Sequence, residues 1–284
     1  MTALSFEQIT VDYVRTDGQS VRALDAFSLN VAQGESVALI GPSGCGKSTL
    51  LRVASGLLEP SAGRMLVGDE VLRAPRPQTA LILQDFGLLP WKTVYQNAEL
   101  GLRIGKVAAG ERRDRTRAAL EAVGLADFAR ALPRELSGGM QQRLALARAL
   151  ALDADVLLMD EPLSALDALL RESMQDLLGQ LHARRGHTQI LVTHSIEEAV
   201  RLGTRIVVLR PRPAHVCTSI ANPCAEDPGF RESTAFFQQC TVVRAALQGA
   251  AGQADGRTAG EAACEAADGS HRVTAAASAG EGGA

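Results

Sequence analysis

This chain of 284 residues has no CxxC pair, no excess of either charge, no internal repeat and no long apolar run. Each absence narrows the classes of function open to it. Cys45, Cys217, Cys224, Cys240 and Cys264 are odd in number and widely scattered, which suits a reducing compartment and argues against a disulfide framework. His215, Cys217 and Cys224 lie close in sequence, but without the spacing of a zinc site. Lys and Arg number 29 against 32 Asp and Glu, a formal net charge of −3. Nucleic-acid binders usually carry a basic excess, so no nucleic-acid partner is expected. No apolar run approaches the roughly 20 residues that cross a bilayer. The opening MTALSFEQIT has no basic stretch before an apolar core, and no signal peptide is read from it. The expectation is a soluble chain whose membrane role comes through partners.

What the sequence does have is an α/β pattern. Hydrophobic residues make up 46%, enough for a sizeable core. Short apolar runs at Ser36–Ile40, Ala80–Leu83, Val156–Met159, Gln189–Thr193 and Arg205–Leu209 each end on a polar residue or glycine, as buried parallel strands do. Leu57–Arg73, punctuated by Gly63 and Gly68, suggests a small antiparallel element. From about residue 94 to 150 the pattern is helical, with helices expected over Arg112–Val123, Asp127–Ala131 and Gln141–Leu152. A further helical stretch is expected over Pro228–Leu247. Beyond residue 247 the composition falls to Ala, Gly and small polar residues, too little bulky apolar surface to offset ordering entropy. Residues 248–284 are therefore expected to be a disordered tail on a domain of residues 1–247.

Three motifs carry chemistry. Gly41-Pro42-Ser43-Gly44-Cys45-Gly46-Lys47-Ser48-Thr49 follows the strand Ser36–Ile40 and opens a helical run, Thr49–Leu58. Glycines let a backbone curl round a phosphate so that its N–H groups point inward, and a helix N-terminus adds a favourable dipole. Lys47 supplies a charge for β- and γ-phosphates, and the Ser48 hydroxyl can ligate Mg²⁺. Cys45 lies inside this loop and is expected to react with thiol reagents, nucleotide protecting it. Val156–Met159 delivers Asp160 and Glu161 to the carboxyl end of a strand, where open α/β sheets bind ligands. Asp160 can hold a Mg²⁺ shell, and Glu161 can orient or deprotonate an attacking water. Finally, Leu136-Ser137-Gly138-Gly139-Met140-Gln141-Gln142-Arg143 opens a helix. Ser137 is a good N-cap there, and the glycines leave orphan N–H groups open to an anion.

That last run, upstream of the acidic strand, resembles the signature motif of ABC ATPases, and the resemblance spans roughly residues 4–245. It implies a P-loop NTPase core with a mostly parallel sheet, a small antiparallel β subdomain and a helical subdomain. It implies an ATPase using ATP and Mg²⁺. Tyr13 matches the aromatic that stacks on adenine. Gln84 matches the Q-loop glutamine that senses the metal and the attacking water. Ser164-Ala165-Leu166-Asp167 matches the D-loop, and His194 the switch histidine on the γ-phosphate. In the family the signature motif of one subunit faces the phosphate loop of another. Ser137, Gly138, Gly139 and Asp167 are therefore expected to complete the site of a second copy or sister chain. Phe86-Gly87-Leu88-Leu89-Pro90-Trp91 is similar to importers of nitrate, taurine, aliphatic sulfonates, bicarbonate or thiamine precursors, with residues 88–91 receiving a helix of the permease. The resemblance thus implies transmembrane permease subunits, an extracytoplasmic substrate-binding protein acting indirectly, and a peripheral place on the cytoplasmic face of the membrane. An exporter subunit and a soluble nucleotide-gated scaffold are the alternatives. Scaffolds of that kind usually carry long coiled-coil insertions or two ATPase modules, and neither is visible here.

Overall fold

The computed structural model describes residues 3–14, 18–210, 213–227 and 229–250. In chain order its strands are β1 (Leu4–Val14), β2 (Ser20–Val31), β3 (Ser36–Ile40), β4 (Ala62–Val67), β5 (Glu70–Val71), β6 (Thr79–Ile82), β7 (Val156–Asp160), β8 (Thr188–Thr193), β9 (Arg205–Leu209) and β10 (Val216–Ala221). Its helices are α1 (Lys47–Ala54), α2 (Val94–Ala98), α3 (Leu100–Ile104), α4 (Ala109–Ala122), α5 (Gly138–Leu150), α6 (Ala168–Arg185) and α7 (Ile196–Leu202), followed by α8 (234–250). None is long and apolar enough to cross a membrane among the described residues.

β3, β7 and β8 are buried along their whole length. Strands with no wet face belong inside a sheet covered on both sides. They form one, in the order β10-β9-β3-β8-β7-β6, parallel except for the antiparallel edge pair of β10 and β9. Because successive side chains alternate in direction, each strand feeds two cores. Val37 and Leu39 join Leu50, Leu51, Leu158 and Val192 on one face. Ala38 and Ile40 join Leu144, Met159, Leu191 and Ala199 on the other. Burying one such leucine is worth roughly 1.5–3 kcal/mol, and truncating it to alanine would cost about 2–5 kcal/mol once the cavity is included.

The antiparallel element is larger than the stretch Leu57–Arg73 suggests. It is a four-stranded sheet, β2-β1-β4-β5, whose two longest strands precede Ser36. Their alternation is broken by register shifts. Leu4 and Phe6 are buried, then Ile9 and Val11, with Gln8 between them at φ 51°. Ala26, at φ 45°, breaks β2 in the same way between Leu24 and Phe27. A bulge adds one residue and flips the pattern, so neither strand reads as a clean period of two. Phe6 and Phe27 nevertheless meet edge to face, 5.9 Å apart.

The helical region comprises α2 to α5, packed through Leu102, Ala119, Leu120, Val123 and Leu144. Three expected helices shift. α1 stops at Ala54, four residues before Leu58, because Gly56 turns the chain at φ +74° where an added Cβ would lie 2.6 Å from the Ala74 carbonyl carbon. Asp127–Ala131 forms only a 3₁₀ turn, Ala126–Phe128. The carbonyls of Ala129 and Ala131 instead accept the first two free N–H groups of α2, from Tyr95 and Val94, at 3.0 and 2.8 Å. α5 begins at Gly138, three residues earlier than Gln141. At the other end, 3₁₀ turns at Pro223–Glu226 and Phe230–Glu232 precede α8, which runs through residue 250 and buries Ala250. Residues 248–250, expected to be disordered, are thus helical. The remainder of the expected tail, like Pro228, lies outside the described residues.

Candidate active site

The phosphate loop is built where β3 ends. Gly41 passes so close to β9 that a Cβ would sit 2.8 Å from the Leu209 carbonyl oxygen, and Gly46 turns into α1 at φ +98° with Leu24 only 3.0 Å from where its Cβ would be. No other residue fits either position without displacing the core. Lys47, the first residue of α1, is 8% exposed. Its Nζ donates to the Gly41 and Pro42 carbonyls at 2.7 and 2.9 Å and lies 3.7 Å from Cys45 Sγ. A charge resting on two carbonyl dipoles is held inside the loop, ready to exchange them for a stronger anion.

Cys45 corrects an expectation. Its side chain is 0% exposed and belongs to the core beneath the loop, so a thiol reagent cannot reach it. Only its backbone belongs to the loop, the N–H donating to the Pro42 carbonyl at 3.3 Å. Gly41 and Cys45 are buried beneath the loop and Pro42 is exposed, while Ser43, Gly44, Gly46, Lys47, Ser48 and Thr49 line a cleft of about 470 Å³. The Tyr13 hydroxyl bonds Thr49 Oγ1 at 3.2 Å, which holds its ring at the same cleft. Val21, paired with Tyr13 across the antiparallel sheet, and Ala23 extend that apolar wall.

The opposite wall is made by strand ends. Asp160, the last residue of β7, is 6% exposed and lines the cleft beside Ser48. Burial raises its pKa, and Glu161 adds to that, while Ser48, Lys47 and Arg52 pull the other way. Glu161 follows at φ 49°, an unusual conformation for a residue with a side chain, and its N–H donates to the Val192 carbonyl at 2.9 Å. Its Oε1 lies 3.3 Å from Nδ1 of His194, which projects from the end of β8 with its side chain 65% exposed. Behind His194, the Thr193 hydroxyl donates to buried Glu198, and the Ser195 N–H donates to Thr193 Oγ1 at 3.0 Å. Burial raises the Glu198 pKa. Gln84, two residues past β6, closes the cleft.

Ser137, Gly138, Gly139 and Asp167 do not line this cleft. Ser137 caps α5, its Oγ accepting from the Met140 N–H at 3.3 Å, and Asp167 caps α6, its Oδ1 accepting from the Leu170 N–H at 3.1 Å. The two caps are neighbours, since a Cβ on Gly139 would lie 3.3 Å from the Ala165 carbonyl oxygen.

A family model described as ABC transporter matches residues 24–164. An ATP-binding protein of Brucella abortus is 48% identical over 194 residues, covering 68% of this chain and 75% of the relative. The taurine import ATP-binding protein TauB of Jannaschia is 43% identical over 227 residues, covering 80% of this chain and 85% of the relative. The chain belongs to the ABC transporter ATP-binding family. Among solved structures, the dimeric, post-hydrolysis state of the ATP-binding cassette MJ0796 bound to ADP and Pi superposes with a TM-score of 0.71 at 32% identity, covering 77% of this chain and 98% of that one. This cassette is accordingly a nucleotide-binding ATPase with the α/β fold that its motifs imply.

Within the cassette, three polar side chains do work that sequence reasoning did not assign to them. Asn97 on α2 knits the loop after Gln84, bonding Leu89 at its N–H and at its carbonyl and also the Lys92 and Thr93 carbonyls, at 2.9–3.1 Å. Arg148 on α5 donates to the Phe86 and Gly87 carbonyls at 2.8 and 2.6 Å, and burial lowers its pKa. Gln142, also on α5, reaches the turn after Glu161. All three bond to backbone, which leaves no signature in the identity of the residues they hold. Trp91, on the loop that Asn97 fixes, is 73% exposed and is no core residue.

Proposed function

We propose that this ATPase works as a pair and powers an importer of a small anion or a thiamine precursor. The observation that supports the catalytic part is the single cleft shared by Lys47, Ser48, Gln84, Asp160, Glu161 and His194. In this reading Tyr13, Val21 and Ala23 take the adenine. The loop from Gly41 to Thr49 cradles the phosphates with its N–H groups. Lys47 releases the Gly41 and Pro42 carbonyls to take the β- and γ-phosphate oxygens. Glu161 accepts a proton from the attacking water, and His194, already within 3.3 Å of that carboxylate, holds the γ-phosphate in line with it. Positioning and charge compensation of this kind account for most of phosphoryl-transfer catalysis.

The Ser48 hydroxyl, the Asp160 carboxylate and the Gln84 amide oxygen are hard oxygen donors that line the same cleft. Such a set suits Mg²⁺, which is usually held by one or two carboxylates and substrate phosphates. Magnesium bound there would neutralise charge developing on the β- and γ-oxygens.

Pairing explains the placement of Ser137, Gly138 and Gly139. They present a helix N-terminus, an anion site by its dipole and free N–H groups, yet lie outside their own chain's cleft. A two-fold arrangement would bring them, with Asp167, onto the triphosphate of a second copy, as the dimeric form of the MJ0796 cassette supports. The exposed Trp91 and the loop from Phe86 suit a helix of a transmembrane permease, placing the ATPase peripherally on the cytoplasmic face, with a binding protein acting on the far side. The name of the Jannaschia relative supports taurine; nitrate, other sulfonates, bicarbonate and thiamine precursors remain within the same reading.

The test is Glu161→Gln. Turnover should fall by about 10²–10⁴-fold with removal of the base, while ATP binding persists and the protein elutes at twice its monomer mass in saturating ATP. A variant that stays monomeric there would overturn the pairing. For the cargo, uptake of radiolabelled taurine into vesicles holding the ATPase and its co-expressed permease decides between taurine and the other anions.

A further inference from the structure

α5 starts at the Ser137 cap and runs under the catalytic turn. Five residues along it, Gln142 is 2% exposed and both ends of its amide are used. Nε2 donates to the Glu161 carbonyl at 3.0 Å and approaches Ser164 Oγ at 3.4 Å, while Oε1 accepts from the Ala165 N–H at 2.8 Å. The Glu161 carbonyl also accepts from Ser164 Oγ at 3.1 Å. Glu161 itself sits at φ 49°, a strained conformation that persists only where the surroundings impose it. Its N–H is fixed by the Val192 carbonyl, and its C=O by Gln142 together with the Ser164 hydroxyl and N–H. The backbone that aims the carboxylate at His194 is thus gripped on one side by the sheet and on the other by the signature helix.

We propose that Gln142 is the positioning residue for Glu161, and that it ties the hydrolytic carboxylate of a subunit to that subunit's own signature motif. Ser137 and Gln142 share one rigid helix. A second copy's triphosphate that pulls on the N-terminus of α5 therefore moves the amide that holds Glu161. One site's nucleotide sets the geometry of the other site's base, within a single chain and over one and a half helical turns. The inference rests on the proposed role of Glu161 and adds a helper that touches neither nucleotide nor water.

Gln142→Met keeps the length of the side chain and removes all three hydrogen bonds of the amide. With the full chain, magnesium and ATP, kcat should fall about 10- to 100-fold, the size expected for a base displaced by about 1 Å. KM and the affinity for a fluorescent ATP analogue should stay within about twofold. In the Glu161→Gln background the same change should lower the residual turnover by less than about twofold, because residues acting as a unit do not add. Losses that multiply in the double variant, or a Gln142→Met enzyme with wild-type kcat, would overturn the proposal. If Glu161→Gln alone leaves turnover intact, the reading of the active site has failed instead.

Gln142→Glu supplies a second readout should the methionine variant not fold. It keeps the acceptor for Ala165 but places a carboxylate oxygen against the Glu161 carbonyl. That oxygen repels when ionised and donates when protonated. Its turnover relative to wild type should rise as the pH drops from about 8 toward the carboxylate range. A ratio independent of pH would argue against the bond to Glu161 as the operative contact.

Discussion

The nucleotide cleft and the N-terminus of α5 are both anion sites by chemistry, yet they are built by opposite means. The cleft is delivered by buried strands. β3, β7 and β8 end together because their neighbours in the sheet leave them no freedom, and Lys47 and Asp160 are 8% and 6% exposed. The α5 end is a bare helix start. Its Ser137 caps only the Met140 N–H, and Gly138 has open space where a Cβ would be. One site gathers its groups into the chain's own cleft, and the other presents a helix start away from that cleft. A half-site left so open makes physical sense if another molecule brings the anion to it.

The sharpest way to break that contrast is to damage each half in a different copy. Lys47→Ala alone, and Ser137→Arg alone, should each lower turnover by about 10²–10³-fold, as removal of an electrostatic contact to a transferring phosphate does. Mixed in equal amounts, the two inactive proteins should recover turnover above that of either alone. About a quarter of wild type is the ceiling if the intact site works independently, and the recovery is less to the extent that Ser137→Arg disturbs Glu161 of the same copy through Gln142. Half of the pairs would be mixed and each would hold one intact site, the wild-type Lys47 of one copy facing the wild-type Ser137 of the other. A mixture as inactive as its components would mean that both motifs serve one chain's own nucleotide.

The same contrast explains what was legible in the sequence. The five core strands were readable because a strand buried on both faces must be an unbroken apolar run, and Asp160 and His194 could be placed because such runs end where ligands bind. β1 and β2 were not readable, since Gln8 and Ala26 sit in bulges that break the alternation. The motifs single out Lys47, Ser48, Gln84, Asp160, Glu161 and His194, and the fold brings these six to one cleft. Gln142, Arg148 and Asn97 gave no signal, because each bonds to loop backbone, near in sequence for Asn97 and far for the other two, and any residue there would supply the same backbone group.

A smaller effect probes the floor of the molecule, away from both sites. His187, beside His182 at 5.2 Å between ring centroids, is 6% exposed. Burial lowers its pKa to about 4, with His182 and Arg185 adding to the effect and a bond to Gln189 opposing it. An unfolded histidine titrates near 6.5. Above that value both states are neutral and the stabilisation is complete. As the pH falls from about 6.5 toward about 4, the unfolded chain takes the proton and the folded one does not, so stability is lost across that window. At about 1.4 kcal/mol per pKa unit the loss is no more than about 3.5 kcal/mol. Urea melts of wild type and His187→Gln at pH 7 and at about pH 4.5 should show the variant losing less. Equal losses would mean that His187 is not held neutral.

The smallest expected effect separates the two faces of the phosphate loop itself. Ser43 and Gly44 line the cleft, whereas Cys45 turns its side chain into the core with Leu39 and Leu50. Brief treatment of the native ATPase with iodoacetamide should label the partly exposed Cys217 and Cys224, leave Cys45 unmodified by mass spectrometry, and keep turnover within about twofold. ATP should give Cys45 no added protection, since the core already shields it. Unfolding in urea should expose it at once, because a free thiol reacts as soon as its thiolate meets reagent. Rapid native labelling of Cys45, suppressed by ATP, would show instead that the loop opens away from the sheet between nucleotides. The rigid half of the comparison would then be rigid only when filled.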